Sequence, residues 1–126
     1  MKRLGRMVAI CTFAVAALIG GSIPASAAST SWVYLVFPGW LGNCPSSSVY
    51  GVQASVGSLW STNWDLGDDI VYGKVYVGTG QSLSYNLMCR KYGRVVGYQP
   101  GSVTIRPPAG TRTIFAGPAG VRYQNH

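Results

Sequence analysis

SLSYNLMCR, residues 82–90, is the stretch of this chain in which apolar and polar side chains alternate most regularly. Successive side chains of a β-strand point to opposite faces, so every second residue here belongs to the same face. One face is built from the apolar set Leu83, Tyr85, Leu87 and Cys89, and the other is mostly polar. The pattern predicts a half-buried strand that carries a cysteine into the core.

The cysteine near the end of this strand has one possible partner in residues 28–126, namely Cys44. Two thiols in a short exported domain most simply pair, because conditions outside the cytoplasm are oxidising. The sequence therefore predicts a Cys44–Cys89 disulfide. Its loop of about 46 residues would stabilise the fold by roughly 4 kcal/mol if chain entropy dominates. The alternatives are two free buried thiols or a bridge between two molecules.

Export is predicted from residues 1–27, which contain the three parts of a secretory signal peptide in order. MKRLGR supplies positive charge, residues 7–21 form an apolar run, and the segment ends in the small residues Ala25, Ser26 and Ala27. We expect cleavage after Ala27. The alternative, a transmembrane anchor, needs about 20 apolar residues, and glycine and proline end this run earlier. The mature chain, residues 28–126, is expected to be secreted and extracellular, without a membrane span and with cell-wall association left open.

The mature chain is expected to form a single all-β domain, because about 100 residues suit one core. No helical apolar period persists, and glycine or proline interrupts nearly every window. WVYLVF, residues 32–37, is apolar on both faces and predicts a strand that is covered on two sides. The proline-glycine pair of QPGS, residues 99–102, predicts a type II turn. Other strand patterns are SVYGVQASV, IVYGKVYVG, RVVGY, SVTIR, TRTIFA and VRYQ.

About seven or eight short strands with one disulfide predict a small antiparallel β-sandwich, immunoglobulin-like in architecture, or a small barrel. The spacing of the two cysteines, with Trp60 and Trp64 between them, resembles that of an immunoglobulin-like domain. The tryptophans lie further after Cys44 than in that family, and Leu87 occupies the place of its tyrosine. The resemblance concerns architecture and implies nothing about function.

Residues that enzymes use are scarce, so a non-enzymatic protein without a cofactor is expected. The only histidine is the last residue, His126, and the chain contains no glutamate. Neither a zinc-ligand set nor a phosphate-binding glycine motif is present. The only acids, Asp65, Asp68 and Asp69, are too close in sequence to flank a glycosidic bond. Calcium would need about six to eight oxygen ligands, so the acidic DLGDD segment is interpreted as a solvated turn rather than a metal site.

Aromatic residues in the middle of the chain are the first candidates for a binding site. In a continuous strand, Trp60 and Trp64 would share a face and could form a platform for sugar rings or a protein partner. Alternatively, both indoles close one end of the core. Tyr72, Lys74 and Tyr76 alternate with valines and form a stripe that binds a ligand if it is exposed, or belongs to the core if a second sheet covers it.

A basic-aromatic segment is the second candidate. CRKYGR follows the strand of residues 82–90, and we expect it to form an exposed hairpin tip with Arg90, Lys91, Tyr92 and Arg94. All seven basic residues of the mature chain follow the last acid, and six of them lie from Arg90 onward. This asymmetry favours an anionic polymer, membrane headgroups or an acidic partner, although scattered arginines also serve solubility. Nucleic acid is not expected, because no nucleic-acid-binding motif accompanies the charge.

Three function classes are consistent with these features. The first is a small secreted binding protein with an extracellular protein partner, including an inhibitor that presents the basic hairpin. The second is a carbohydrate- or cell-wall-binding module that stacks the same aromatic residues on a polysaccharide. The third is a secreted antimicrobial or toxin-like protein.

Trp40, close to Cys44 in sequence, is expected to pack on the disulfide.

Overall fold

A computed structural model describes residues 29–126 and shows a nearly all-β chain. The predicted signal peptide, residues 1–27, lies outside the described residues. The elements within the described range are the strands β1 (Thr30–Val36), β2 (Ser48–Val56), β3 (Trp60–Ser61), β4 (Asp65–Leu66), β5 (Ile70–Tyr76), β6 (Gln81–Lys91), β7 (Arg94–Ile105), β8 (Thr113–Gly117) and β9 (Gly120–Gln124), and a short 3-10 turn at Gly39–Leu41. The all-β prediction is confirmed.

The strands form two sheets. Sheet A has the order β5-β1-β8-β9, and sheet B has the order β3-β2-β6-β7, with β4 also paired to β2. All neighbours are antiparallel except β1 and β8, which run parallel. The expectation of purely antiparallel pairing is therefore wrong at this pair. Because the chain passes through sheet B between β1 and β8, no hairpin forces these two strands to run in opposite directions.

The inner faces of the two sheets bury one shared core, and residues 82–90 lie at its centre as β6. The alternation that the sequence predicts there is confirmed, because all four apolar side chains of that set are buried. Sheet A contributes Val33, Leu35, Val71, Val75 and Ile114, and sheet B contributes Val52, Val56, Leu83, Leu87 and Ile105. The Cys44–Cys89 disulfide is confirmed as well, with Cα atoms 5.4 Å apart, and it ties β6 to the loop after the 3-10 turn.

The segment QPGS is part of a strand rather than a turn. RVVGY and SVTIR, which the sequence separates, form the single strand β7, and Pro100 pairs with Asn86 within it. β7 is an edge strand of sheet B, where a residue without an N–H is tolerated. Gly101 lies opposite Tyr85, and any side chain there would collide with the tyrosine ring. The glycine is therefore explained by packing against a buried ring, which a local pattern does not reveal.

A bulge in β2 changes which of its residues faces the core. The register with β6 shifts between Val49 and Gly51, so Tyr50 is the additional residue. Val49 packs against the core, whereas the Tyr50 ring lies under the guanidinium group of Arg90, 4.2 Å from it. The alternation along SVYGVQASV predicts that Tyr50, Val52, Ala54 and Val56 share a face; the last three do face the core, and the bulge turns Tyr50 away from it.

Asn43 is a buried polar residue that joins the segment around the 3-10 turn to β8, beside the disulfide. Its Nδ2 donates hydrogen bonds to the carbonyl oxygens of Pro38 at 3.0 Å and Ala116 at 2.8 Å. Asn43→Asp keeps the size but removes the donor, so we expect it to lower the free energy of unfolding by about 2 kcal/mol or more. Denaturant unfolding measures this change. A variant as stable as the wild type would show that water replaces both hydrogen bonds.

Candidate functional site

The outer face of β1 carries exposed aromatic side chains. Trp32 is 49% exposed and Tyr34 is 53% exposed, whereas Val33 and Leu35, which alternate with them, are fully buried. The expectation that residues 32–37 are covered on both sides is therefore wrong within β1. Sheet B covers only the inner face of sheet A, and no described element packs over the outer face of β1 at these two rings. β1 thus presents aromatic rings to solvent from the middle of a sheet.

The predicted stripe on β5 lies beside these rings. In the antiparallel register, Tyr72 is opposite Tyr34 and Lys74 is opposite Trp32. Tyr72 is 52% exposed, and its ring centroid lies 5.4 Å from that of Trp32 and 4.8 Å from that of Tyr34. Tyr76, at the end of β5, is half-buried on the same face. The expectation that Tyr72, Lys74 and Tyr76 lie on the opposite face of β5 from its valines is confirmed.

The same face continues across β8 to the 3-10 turn. Phe115 pairs with Val36 of β1, and its ring centroid lies 5.6 Å from that of Trp40. Arg122 of β9 places its guanidinium group 5.2 Å from the Trp40 ring centroid. Trp40 is exposed and lies on the outside of sheet A, so the expectation that it packs on the disulfide is wrong. The 3-10 turn directs it to β8 instead.

We define the aromatic face as the outer surface of sheet A formed by Trp32, Tyr34, Trp40, Tyr72 and Phe115. Lys74, Arg112 and Arg122 lie beside it, no acid lies within the strands β1, β5, β8 and β9, and the acids Asp68 and Asp69 directly precede β5. A groove of about 380 Å³ lies beside three of the rings, between them and the loop that contains Thr111 and Arg112. The face therefore combines apolar rings, a polar groove and positive charge at its margins.

The relative orientation of the rings restricts what can bind. The Trp32 and Tyr72 rings are nearly parallel, with an interplanar angle of 23° and the short centroid separation given above. Nearly parallel rings at such a distance form an offset stack, in which each ring covers part of the other's face. In each of these two rings, the edge and the uncovered part of the face are therefore open to solvent. The surface is ridged rather than flat.

The two central tryptophans lie elsewhere and apart from each other. β3 and β4 are separate short strands, so Trp60 and Trp64 do not share a continuous strand and the expected common platform is not formed. The indole of Trp60 packs against the core and would touch any Cβ at Gly73 of β5. Trp64 is half-buried, and its ring centroid lies 5.7 Å from that of Tyr98 in β7. Neither tryptophan contributes to the aromatic face.

The basic-aromatic segment forms a hairpin tip, as expected. β6 and β7 pair up to Lys91 and Arg94, and Tyr92 and Gly93 form a two-residue turn with φ angles of 53° and 76°. Positive φ at both positions is typical of a type I′ turn. Tyr92 is 91% exposed, and a shallow groove of about 570 Å³ lies between the hairpin and residues 46–50. This tip is a second exposed surface, on sheet B.

The acidic segment lies before β5. Asp65 is exposed in β4, and Asp68 caps the following backbone, with its Oδ1 accepting a hydrogen bond from the N–H of Ile70 at 3.1 Å. Within residues 29–126, no three potential ligands of the His, Cys, Asp and Glu types come together around a common point. Burial raises the pKa of Asp69 above 3.8; a backbone hydrogen bond opposes this shift and the charge of Asp68 adds to it.

The raised pKa of Asp69 predicts a pH-dependent stability difference. The folded protein binds the proton more readily than the unfolded chain, so the favourable contribution is complete below pH 3.8 and disappears as the pH rises through the raised pKa. Asp69→Asn is always neutral, and we expect its free energy of unfolding to exceed that of the wild type near about pH 7 but not near about pH 3. Denaturant titrations at both pH values test this, with Asp65→Asn as the matched control. A constant difference across pH would contradict it.

Part of the site has a recognisable sequence signal. In β1 and β5 alike, aromatic residues occupy one set of alternate positions and aliphatic residues the other, so Trp32 and Tyr34 could have been grouped with Tyr72 by residue class. Phe115, Trp40 and Arg122 have no such signal. Their proximity depends on the parallel pairing of β1 with β8 and on the position of the 3-10 turn.

Among the described residues, no helix has the length and apolar character needed to cross a bilayer. Comparisons with protein-family models, with curated proteins and with solved structures find no match for this chain.

Proposed function

We propose that this protein is a small secreted, non-enzymatic binding protein that engages an extracellular protein through the aromatic face. The observation that carries the proposal is the exposure of Trp32, Tyr34 and Tyr72, each about half exposed, on a sheet face without a cover in the described chain. Tryptophan, tyrosine and arginine are the residues that most often dominate the binding energy of protein interfaces. The aromatic face has all three.

The ridged shape of the aromatic face favours a protein partner over a flat ligand. Stacked rings offer edges and clefts, into which the side chains of a partner can pack. Lys74, Arg112 and Arg122 surround the rings with positive charge, so the complementary surface has an apolar centre and an acidic margin. Arg122 already lies over Trp40, which orders that ring before binding and reduces the entropy lost in the complex.

The proposal includes export and a finer description of the fold. The signal peptide is removed after Ala27, and residues 28–126 form one β-sandwich domain of immunoglobulin-like type around the Cys44–Cys89 disulfide. The shared core of the two sheets supports this assignment. A non-enzymatic role is supported by the only histidine, His126, which is exposed and contacts Asn125 rather than an acid.

A carbohydrate- or cell-wall-binding module is the second candidate, and the groove beside Trp32 favours it. The groove is lined by rings on one side and by Gly110, Thr111 and Arg112 on the other. A sugar bound there would stack on an aromatic ring and form hydrogen bonds with the guanidinium group. This arrangement suits the end of one chain more than an extended flat polymer.

Two assays with the secreted protein distinguish the candidates. In the first, immobilised wild type and Tyr72→Ala are exposed to extracellular proteins, with Tyr98→Ala on sheet B as the matched aromatic control. We expect a partner that the wild type and the control retain and that Tyr72→Ala loses. A panel of trypsin-like and subtilisin-like proteases tests whether that partner is a protease.

The second assay is a pull-down on insoluble cellulose, chitin and peptidoglycan. If the polysaccharide retains the wild type at high salt but does not retain Tyr72→Ala, the function is polysaccharide binding and not protein binding. Retention that moderate salt abolishes would indicate charge alone. If neither assay retains the wild type in a manner that depends on Tyr72, the proposed role of the aromatic face is wrong.

A further inference from the structure

We propose that the tip of the β6–β7 hairpin docks on anionic phospholipid bilayers and constitutes a second binding site, independent of the aromatic face. The docking tip comprises residues 90–96, which contain three cations and three exposed apolar or aromatic side chains. This composition is typical of segments that bind at membrane interfaces.

The apolar part of the docking tip is unusually exposed for a small domain. Tyr92 stands at the apex, and Val96 is 58% exposed behind it. The register of β6 with β7 shifts between Cys89 and Arg90, which makes Val96 the additional residue of a bulge beside Val95. A bulge disturbs the alternation of side chains, and here both valines are directed to solvent. No described part of the chain packs over them, and a bilayer interface would remove them from water.

The basic part of the docking tip flanks this apolar group. The Nζ atom of Lys91 lies 5.3 Å from the ring centroid of Tyr92, and Arg94 follows the turn on the opposite strand. Lysine and arginine can extend their charged ends toward headgroup phosphates while their methylene groups remain at the apolar boundary. Tyrosine is enriched at the same depth of a bilayer. The cations and the apolar side chains of the docking tip are therefore arranged like the headgroups and the apolar region at the surface of a bilayer.

Strand pairing lowers the energetic cost of bringing the backbone of the docking tip to a bilayer. Lys91 pairs with Arg94 and Arg90 pairs with Val95, so within the docking tip only the turn residues Tyr92 and Gly93 and the bulge residue Val96 lack a partner in the ladder. Unpaired backbone groups are what makes most loops costly to place in an apolar medium. In addition, Cys89 lies directly before the docking tip, and its disulfide fixes the base of the hairpin to the loop at Cys44.

The shape of the tip favours a membrane over the cleft of a protease. A peptide that adds to a protein as a strand must be extended, whereas Tyr92 and Gly93 are both left-handed. The turn is also convex and only two residues long, so its apex presents a point beside the shallow groove that the hairpin forms with residues 46–50. Such a point suits a deformable surface with many equivalent anionic groups, and its positive charge is complementary to that surface.

The test uses the secreted protein and co-sedimentation with vesicles of phosphatidylcholine alone or mixed with phosphatidylglycerol. We expect the wild type to bind only the mixed vesicles. Lys91→Gln with Arg94→Gln should reduce the partition coefficient by roughly 25-fold, since each surface charge contributes about fivefold. Val96→Ser with Tyr92→Ser should also reduce it, without removing charge.

The matched control compares the single variants Lys91→Gln and Arg106→Gln, because Arg106 is exposed and lies outside both the docking tip and the aromatic face. We expect Arg106→Gln to retain most of the binding. Equal loss in the two single variants would mean that net charge alone binds the vesicles, and this result would overturn the proposal. Equal binding to vesicles with and without phosphatidylglycerol would also overturn the proposal. So would a hairpin variant that no longer binds a protein partner but still binds vesicles. The aromatic face is unchanged in every hairpin variant, so this test does not depend on the function proposed for it.

Discussion

Replacing both bridged cysteines, Cys44→Ala with Cys89→Ala, is expected to lower the free energy of unfolding by about 4 kcal/mol. The bridge spans a sequence separation of 45 and restricts the unfolded chain over almost half of the described residues. For a domain of this size, total stability is about 5–15 kcal/mol, so the loss is a large fraction of it. We expect the melting temperature to fall by roughly 15–30 °C.

In the folded structure a hydrogen bond also joins the loop at Cys44 to sheet B, but it does not restrict the unfolded chain as the bridge does. Cys44 lies in the loop that carries the chain from sheet A to sheet B, and Gln99 of β7 accepts a hydrogen bond from its backbone N–H at 2.7 Å. Both cysteines are buried, so the alanine variant also loses packing at the base of the hairpin. Alanine retains Cβ, so the left-handed backbone of Cys44, with φ 49°, is equally unfavourable in both proteins.

Thermal and denaturant unfolding of the wild type and the double variant measure the change. The wild type with its disulfide reduced is the matched control, and it should lose nearly the same stability as the double variant. A double variant that melts within a few degrees of the wild type would contradict the prediction. Alkylation of two free thiols in the unreduced protein would show that the bridge does not form at all.

The second large effect concerns the aromatic face. Trp32→Ala with Tyr72→Ala is expected to weaken binding of the partner by roughly 30-fold to 1,000-fold, because each residue at the centre of an interface contributes about 2 kcal/mol or more and the contributions of two stacked rings overlap. Their rings are stacked, so removing one also frees the other. The effects of the two single variants should therefore not add up to that of the double variant. Surface plasmon resonance with the captured partner measures the affinities.

The same double variant should retain its fold, because both side chains lie on the outer face of sheet A and about half of each is in solvent. Denaturant unfolding checks this. Tyr98→Ala is the control for the loss of an exposed aromatic residue, and it should bind as the wild type does. If Tyr98→Ala loses as much affinity as Tyr72→Ala, the partner binds sheet B and the proposed surface is misplaced.

The candidate site was only partly predictable from the sequence. The alternation in IVYGKVYVG correctly assigned Tyr72, Lys74 and Tyr76 to one face, because strand geometry alone sets which side chains share a side. It could not say whether that face is exposed, because exposure depends on which element packs over it. Trp60 and Trp64 were grouped by a spacing that applies only to a continuous strand, and two separate strands direct them to different surfaces.

Local pattern by itself determined the all-β class, the buried face of β6, the pairing of the only two cysteines in the described chain and the exposed hairpin at Tyr92. The strand class and the buried face of β6 follow from the alternation of side chains, the hairpin follows from its turn residues, and the disulfide follows because each cysteine has one possible partner. These properties depend only on neighbouring residues or on composition.

Tertiary structure alone decided the parallel contact of β1 with β8, the continuation of QPGS as a strand and the aromatic face that joins Trp32, Tyr72, Phe115 and Trp40. These features bring together residues that are far apart in the chain. The free energy of such contacts depends on how the two sheets pack, and no short segment contains that information.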